Sequence, residues 1–270
     1  MADHPRIVIN GQAGTGISPL DRGMVYGDGV FRTARVVAGQ VRWWSDHMEK
    51  LGDDAARLGI PFPGEDMWRA DLVALGVLPQ AGVLRLTLSR GEGPRGYAPP
   101  KLPRPTRILA CWPDELPAYP EAGLNLRAGT LRLASQPALA GVKHLNRLEN
   151  VLARAEWDDP EIHESVLMDT KDRVVSGVMS NLFVWREGRL LTPRLDQCGV
   201  SGVARARLIA RARSANIPVE EADFGLDGLL AAEAVLLTNS LMGLRRAARL
   251  GERVWPETPI YPRLAALLDD

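Results

Sequence analysis

The chain predicts an α+β fold in two domains, and three observations carry that expectation. Its 270 residues exceed what one hydrophobic core usually organises. Strand-like runs outnumber helical ones, and hairpin turns are mixed among the helices. Eight prolines also fall between positions 94 and 120, the last three (Pro113, Pro117, Pro120) in a stretch with little periodicity. We take residues 113–120 as an interdomain linker, with a smaller α+β domain over 1–112 and a larger one over 121–270.

The elements follow in order. Residues 6–10 read as a short strand that turns at Asn10-Gly11. Residues 29–37 are strand-like, with Gly39-Gln40 as a hairpin turn into residues 41–44. Ser45 has the character of a helix N-cap, because Met48, Leu51, Ala55 and Leu58 recur behind it at helical spacing until Gly59 and Pro61. Residues 83–88 form a β-rich run ending in the glycine-rich loop 89–97, and 107–112 form another strand. After the linker, residues 124–133 restart the strand pattern. Residues 148–157 are helical. Residues 165–169 and 182–185 are strands, the latter turning at 186–189. Gly202 opens a helix over 203–215, and residues 234–238 are a buried strand.

Composition narrows the function classes. Lys plus Arg and Asp plus Glu both number 33, so the basic surplus of a nucleic-acid binder is absent. Cys111 and Cys198 lie far apart with no metal-ligand spacing. No run of about 18 apolar residues occurs, and the N-terminal MADHPRIVIN lacks the pattern of a signal peptide. The expectation is a cytoplasmic protein with a small-molecule substrate, no metal, no membrane and no nucleic acid.

Four short stretches could carry chemistry, although each has an ordinary reading as well. Lys143 lies in Gly141-Val142-Lys143-His144-Leu145-Asn146-Arg147-Leu148-Glu149, where a lone lysine would usually be solvated. The loop 89–97 carries Arg95 and Tyr97. Gly199-Val200-Ser201-Gly202 precedes a helix, whose free N–H groups and positive dipole end suit an anion. Ser176 to Asn181 turns into a strand.

In this order, the stretches resemble the fold-type IV pyridoxal-phosphate enzymes, from Ile9-Asn10-Gly11 to Thr238-Asn239-Ser240. Within that family the aminodeoxychorismate lyases are the nearest in pattern. The likeness rests on Asp21-Arg22-Gly23 leading to Tyr26-Gly27-Asp28-Gly29-Val30-Phe31-Arg32-Thr33-Ala34-Arg35. It rests further on Ser89-Arg90-Gly91-x-Gly93-x-Arg95-Gly96-Tyr97, on Lys143 to Glu149, and on Thr192-Pro193-Arg194-Leu195-Asp196-Gln197.

The resemblance implies a homodimer that binds pyridoxal 5′-phosphate between its domains. Lys143 matches the Schiff-base lysine, a role that needs an amine able to lose its proton near neutrality. The backbone N–H groups of Val203 and Ala204, with Ser240, match the phosphate site. Lys50 falls where the family usually has a phosphate-binding arginine, and so keeps the charge but not the bidentate fork. Thr33 matches the lyases, whereas the aminotransferases carry glycine there. Its hydroxyl could orient the substrate or pass a proton to the departing enolpyruvyl group. Tyr26, Arg95 and Tyr97 match substrate-pocket positions, and a guanidinium suits a dianionic substrate.

Ser176 is the largest departure. It stands where a glutamate normally pairs with the pyridine nitrogen and strengthens the ring as an electron sink. The implied reaction is loss of pyruvate from 4-amino-4-deoxychorismate, giving 4-aminobenzoate for folate synthesis. A D-amino-acid or branched-chain aminotransferase is the first alternative. A catalytically silent ligand-binding member, motivated by Ser176 and Lys50, is the second. His47 and His163 are expected to be structural.

Overall fold

The computed structural model describes residues 4–14, 16–113 and 118–269. The predicted linker therefore lies partly outside the described residues: Pro113 ends a strand, and positions 114–117 are not described. The chain divides into two compact units. The first comprises Met1–Leu116 with Val142–Asn146, the second Pro117–Gly141 with Arg147–Asp270. A linear division at the linker would put the Lys143 segment in the second unit; its contacts place it in the first.

The first unit contains β1 (Arg6–Ile9), β2 (Gln12–Ala13), α1 (Arg22–Tyr26), β3 (Gly29–Val37), β4 (Gln40–Val41), α2 (Trp44–Arg57), α3 (Glu65–Leu75), β5 (Ala81–Ser89) and β6 (Thr106–Pro113). Its strands form an antiparallel sheet in the order β2-β1-β6-β5-β3-β4. Strand side chains alternate between faces. Val30, Ala34, Val36, Leu84, Leu86, Leu88 and Leu109 turn one way and pack with Met48 and Leu51 of α2 and Trp68 of α3. The other face presents Phe31, Thr33 and Arg35 with their cross-strand partners Thr87, Arg85 and Val83.

Local chemistry explains two shifts from the expected boundaries. The β3–β4 hairpin turns on Ala38 and Gly39, both at positive φ, as a two-residue turn of that hand requires; Gln40 already belongs to the strand. Trp43, at φ 56, precedes α2 without a side-chain cap, so Ser45 lies inside the helix instead of capping it.

The second unit contains β7 (Leu124–Leu133), α4 (Leu148–Arg154), β8 (Glu164–Asp169), β9 (Val174–Gly177), β10 (Asn181–Arg186), β11 (Arg189–Pro193), α5 (Val203–Ser214), β12 (Val219–Ala222), α6 (Leu226–Leu230), β13 (Ala234–Asn239), β14 (Gly243–Leu250), β15 (Arg253–Val254) and α7 (Ile260–Asp269). Its mixed sheet runs β12-β11-β10-β13-β14-β7-β8-β9, with β15 against β14. β13 is buried along nearly its whole length, between a core built on Leu182, Val184, Val235 and Leu237 and the buried side of α5. The predicted helix at 148–157 stops at Arg154. The α+β expectation holds.

Candidate active site

Lys143 is placed by backbone pairing. The carbonyl of Lys143 accepts the Phe31 N–H at 2.9 Å, and the Leu145 N–H donates to the Gly29 carbonyl at 2.9 Å. The segment thus lies along the start of β3 as a short extra strand. Just before it, Gly141 (φ 80) still belongs to the second unit: its N–H donates to Gly199 O and its carbonyl accepts from Ser201 N–H. The Lys143 amine stands 4.6 Å from the centre of the Phe31 ring. It therefore lies on the open face of the sheet, the face that also carries Thr33 two residues along the strand. The Arg85 guanidinium stands 4.3 Å from the same ring.

Beneath this segment is a buried polar cluster. Asp54 of α2 is fully buried and accepts hydrogen bonds from the Lys143 backbone N–H at 3.0 Å, from Arg32 and from Lys50. Arg32 is itself buried, and side-chain alternation on β3 turns it inward, away from Thr33. Burial depresses the Lys50 ammonium pKa, and the adjacent Asp54 carboxylate opposes that shift. His47 is buried as well. Burial, then the Arg32 and Lys143 charges, push its pKa down to about 3, so it is neutral at physiological pH. Arg32 and Lys50 both pair with the Asp54 carboxylate, and Asp53 adds a further negative charge near them.

The loop bearing Arg95 and Tyr97 is held from below. Arg22 is almost wholly buried and donates to the carbonyls of Gly96 and Tyr97, at 3.0 Å each, and to Asp28 at 2.8 Å. Arg90 also pairs with Asp28. Burial pushes the Asp28 carboxyl up, but the Arg90 and Arg22 guanidiniums outweigh it and hold it below its ordinary value. The Tyr26 hydroxyl accepts the Gly96 N–H at 3.1 Å, and the Tyr26 and Tyr97 ring centres are 5.5 Å apart. Arg95 is exposed, and Tyr97 is 87% exposed.

In the second unit, the start of α5 has the features of an anion cradle. Val203 and Ala204 are buried, the helix has no side-chain cap, and among the described residues their N–H groups meet no chain acceptor. Asn181 shapes the approach: its oxygen accepts the Gly202 N–H at 3.0 Å and its amide donates to Val200 O at 2.7 Å. A side chain at Gly202 would put its Cβ 2.4 Å from that oxygen, so a larger residue there would push Asn181 aside. Ser240 lies in the turn after β13. The Asn239 oxygen secures that turn by accepting the Leu241 and Met242 N–H groups at 2.9 and 2.8 Å.

Ser176 is buried in β9 and donates its hydroxyl proton to Gly177 O at 2.8 Å. Glu164 is the nearby buried carboxylate. It is already taken up by the N–H groups of Ser165, Val178 and Met179 and by the Ser180 hydroxyl. Burial pushes its pKa up against those donors.

Residue-type reasoning missed Asp54, Arg32, Arg22, Asp28, Asn181 and Asn239. All of these except Asp54 had a faint signal, since they lie inside the family-like motifs. Asp54 had none, because its partners are remote in sequence.

The model of the class IV aminotransferase family matches residues 29–250. The chain belongs to that family. It is similar to the crystal structure of 4-amino-4-deoxychorismate lyase from Pseudomonas aeruginosa, with a TM-score of 0.91 and 41% identity over 98% of each chain. It is 35% identical to aminodeoxychorismate lyase of Vibrio harveyi across 87% of this chain and 88% of that one. A D-alanine aminotransferase of Listeria monocytogenes is 29% identical across 82% of this chain and 77% of its own. The fold is that of the fold-type IV enzymes.

The residues present fit the cofactor of that family. In the second unit a phosphate would meet the N–H groups of Val203 and Ala204, and in the first an aldehyde would meet the Lys143 amine.

Proposed function

We propose that this protein is a pyridoxal-phosphate-dependent lyase that converts 4-amino-4-deoxychorismate to 4-aminobenzoate and pyruvate. The observation that carries the reading is the placement of the Lys143 amine over Phe31, on the sheet face that carries the Thr33 hydroxyl. The likeness to two aminodeoxychorismate lyases supports it.

Bound through Lys143, pyridoxal 5′-phosphate supplies an electron sink conjugated to the substrate's amino group. The N–H groups of Val203 and Ala204, the Ser240 hydroxyl and the Lys50 ammonium hold the phosphate. Once released by the substrate, the Lys143 amine takes the proton from the ring carbon bearing the substrate's amino group. Thr33 delivers a proton to the departing enolpyruvyl group. Arg95 and Tyr97 orient the substrate carboxylates, with Tyr26 and Arg22 fixing their loop. Ser176 brings no charge to the pyridine nitrogen, and a reaction drawn forward by an aromatic product tolerates that loss better than transamination does.

The protein acts as a cytoplasmic homodimer in this reading. The exposed apolar face of α4 (Leu148, Val151, Leu152) supports a partner surface. Among the described residues no helix is long and apolar enough to cross a membrane, and no cluster suited to a metal occurs.

The test is pyruvate release from 4-amino-4-deoxychorismate, followed with a coupled dehydrogenase. Wild type should turn over and Lys143→Ala should not. Equal rates would remove Lys143 from the chemistry. The family also contains aminotransferases, and a half-reaction with D-alanine or L-leucine distinguishes them, since a lyase returns its cofactor unchanged.

A further inference from the structure

The cluster beneath Lys143 contains a residue to which no role has yet been given. We propose that Asp54 is the positioning residue for Lys143, its one carboxylate anchoring the Lys143 backbone together with the cations Arg32 and Lys50. The inference rests on the reading of Lys143 as the cofactor lysine.

Two anchors of the Lys143 segment are backbone pairings with β3, through Phe31 and Gly29. Asp54 is an additional anchor, and it comes from a side chain on a different element. Its Oδ2 accepts both the Lys143 N–H and Arg32, and its Oδ1 accepts Lys50. The carboxylate has no exposed surface, so water cannot replace any of these donors when one is lost. Both cations pair with this carboxylate, and Lys50 is one helical turn away from Asp54 on α2. An anion drawn to Lys50 therefore pulls on the same carboxylate that fixes Lys143. Asp54 in this way links occupancy of the phosphate contact to the position of the lysine.

The test is hydrogen–deuterium exchange of the peptide spanning Val142–Asn146 in the holoenzyme, with strand β5 as an internal reference. Wild type is compared with Asp54→Asn, which keeps an acceptor but removes the charge, and with Asp54→Glu, which keeps the charge but moves the carboxylate by one methylene. Both variants should exchange at 142–146 at least about ten-fold faster, with β5 unchanged.

The pH titration of the bound cofactor's visible band is the second readout, which a purely structural residue would not move. Its midpoint should fall by about half a pH unit or more in Asp54→Asn, because an opposite charge is lost. It should stay near wild type in Asp54→Glu. If Asp54→Asn fails to fold, Asp54→Glu carries the exchange arm alone, because its cation pairing is retained. Wild-type exchange at 142–146 in the folded variants would overturn the proposal, as would an unmoved midpoint in folded Asp54→Asn. The exchange arm needs no bound cofactor. A wild-type protein without cofactor on Lys143 would defeat the functional reading while leaving the anchor itself still tested.

Discussion

In the proposed reaction, Thr33 and Arg95 are the side chains that separate substrate chemistry from cofactor binding. Thr33 shares its sheet face with Phe31 and the Lys143 amine, so Thr33→Gly should spare the cofactor's absorbance while cutting pyruvate release. Unchanged release would remove it from the mechanism. Arg95 is exposed on its loop, and in the proposed reaction it would meet a substrate carboxylate there. A charge-assisted contact contributes about 1.5–3 kcal/mol, so Arg95→Ala should raise KM by roughly one to two decades with little effect on cofactor binding. His47 makes a prediction in pH. Its folded pKa of about 3 lies below the ordinary value near 6.5, so between those limits the unfolded chain binds the extra proton. Stability should therefore be unaffected by His47 above about pH 6.5 and fall as pH drops below it, by up to about 1.4 kcal/mol per unit. Thermal melts of wild type and His47→Gln between pH 7 and 5 would check this: the variant should lose less on acidification.

At the level of elements, the start of α5 offers a test that leaves the helix intact. Val203 is its first residue, and Gly202 before it is extended (φ −78, ψ 152), a backbone that proline tolerates. Val203→Pro deletes one proposed phosphate donor without unwinding the helix. Cofactor affinity should fall about ten-fold or more at unchanged helical content by circular dichroism; unaltered affinity would place the phosphate elsewhere. Legibility in the sequence also differed by element. β5 and β13 were readable because their apolar positions recur without interruption, and β3 was readable although the buried Arg32 breaks its inward row. α3 was not, because its buried face includes Asp71, which is there to pair with Arg107 and so breaks the apolar stripe. β14 was hidden by Arg245 and Arg246 inside its run. The start of α5 was visible from glycine and helix spacing alone, whereas the cluster under Lys143 joins residues 32, 47, 50, 54 and 143, a distance that no local pattern spans.

For the molecule as a whole, the exposed face of α4 predicts association. Leu148, Val151 and Leu152 are 75, 60 and 61% exposed, at the i, i+3, i+4 spacing of one helical face. Sedimentation should report a dimer, and Leu152→Lys should shift it towards monomer; a wild-type monomer at micromolar concentration would contradict the partner surface. The central claim is that Lys143 carries the cofactor, and reductive trapping tests it most directly. Holoenzyme would be treated with borohydride, digested, and mapped by mass spectrometry. The account predicts a single phosphopyridoxyl adduct on Lys143, with loss of the visible band and of turnover. An adduct on another lysine, or an unmodified Lys143 after the band has gone, would contradict it.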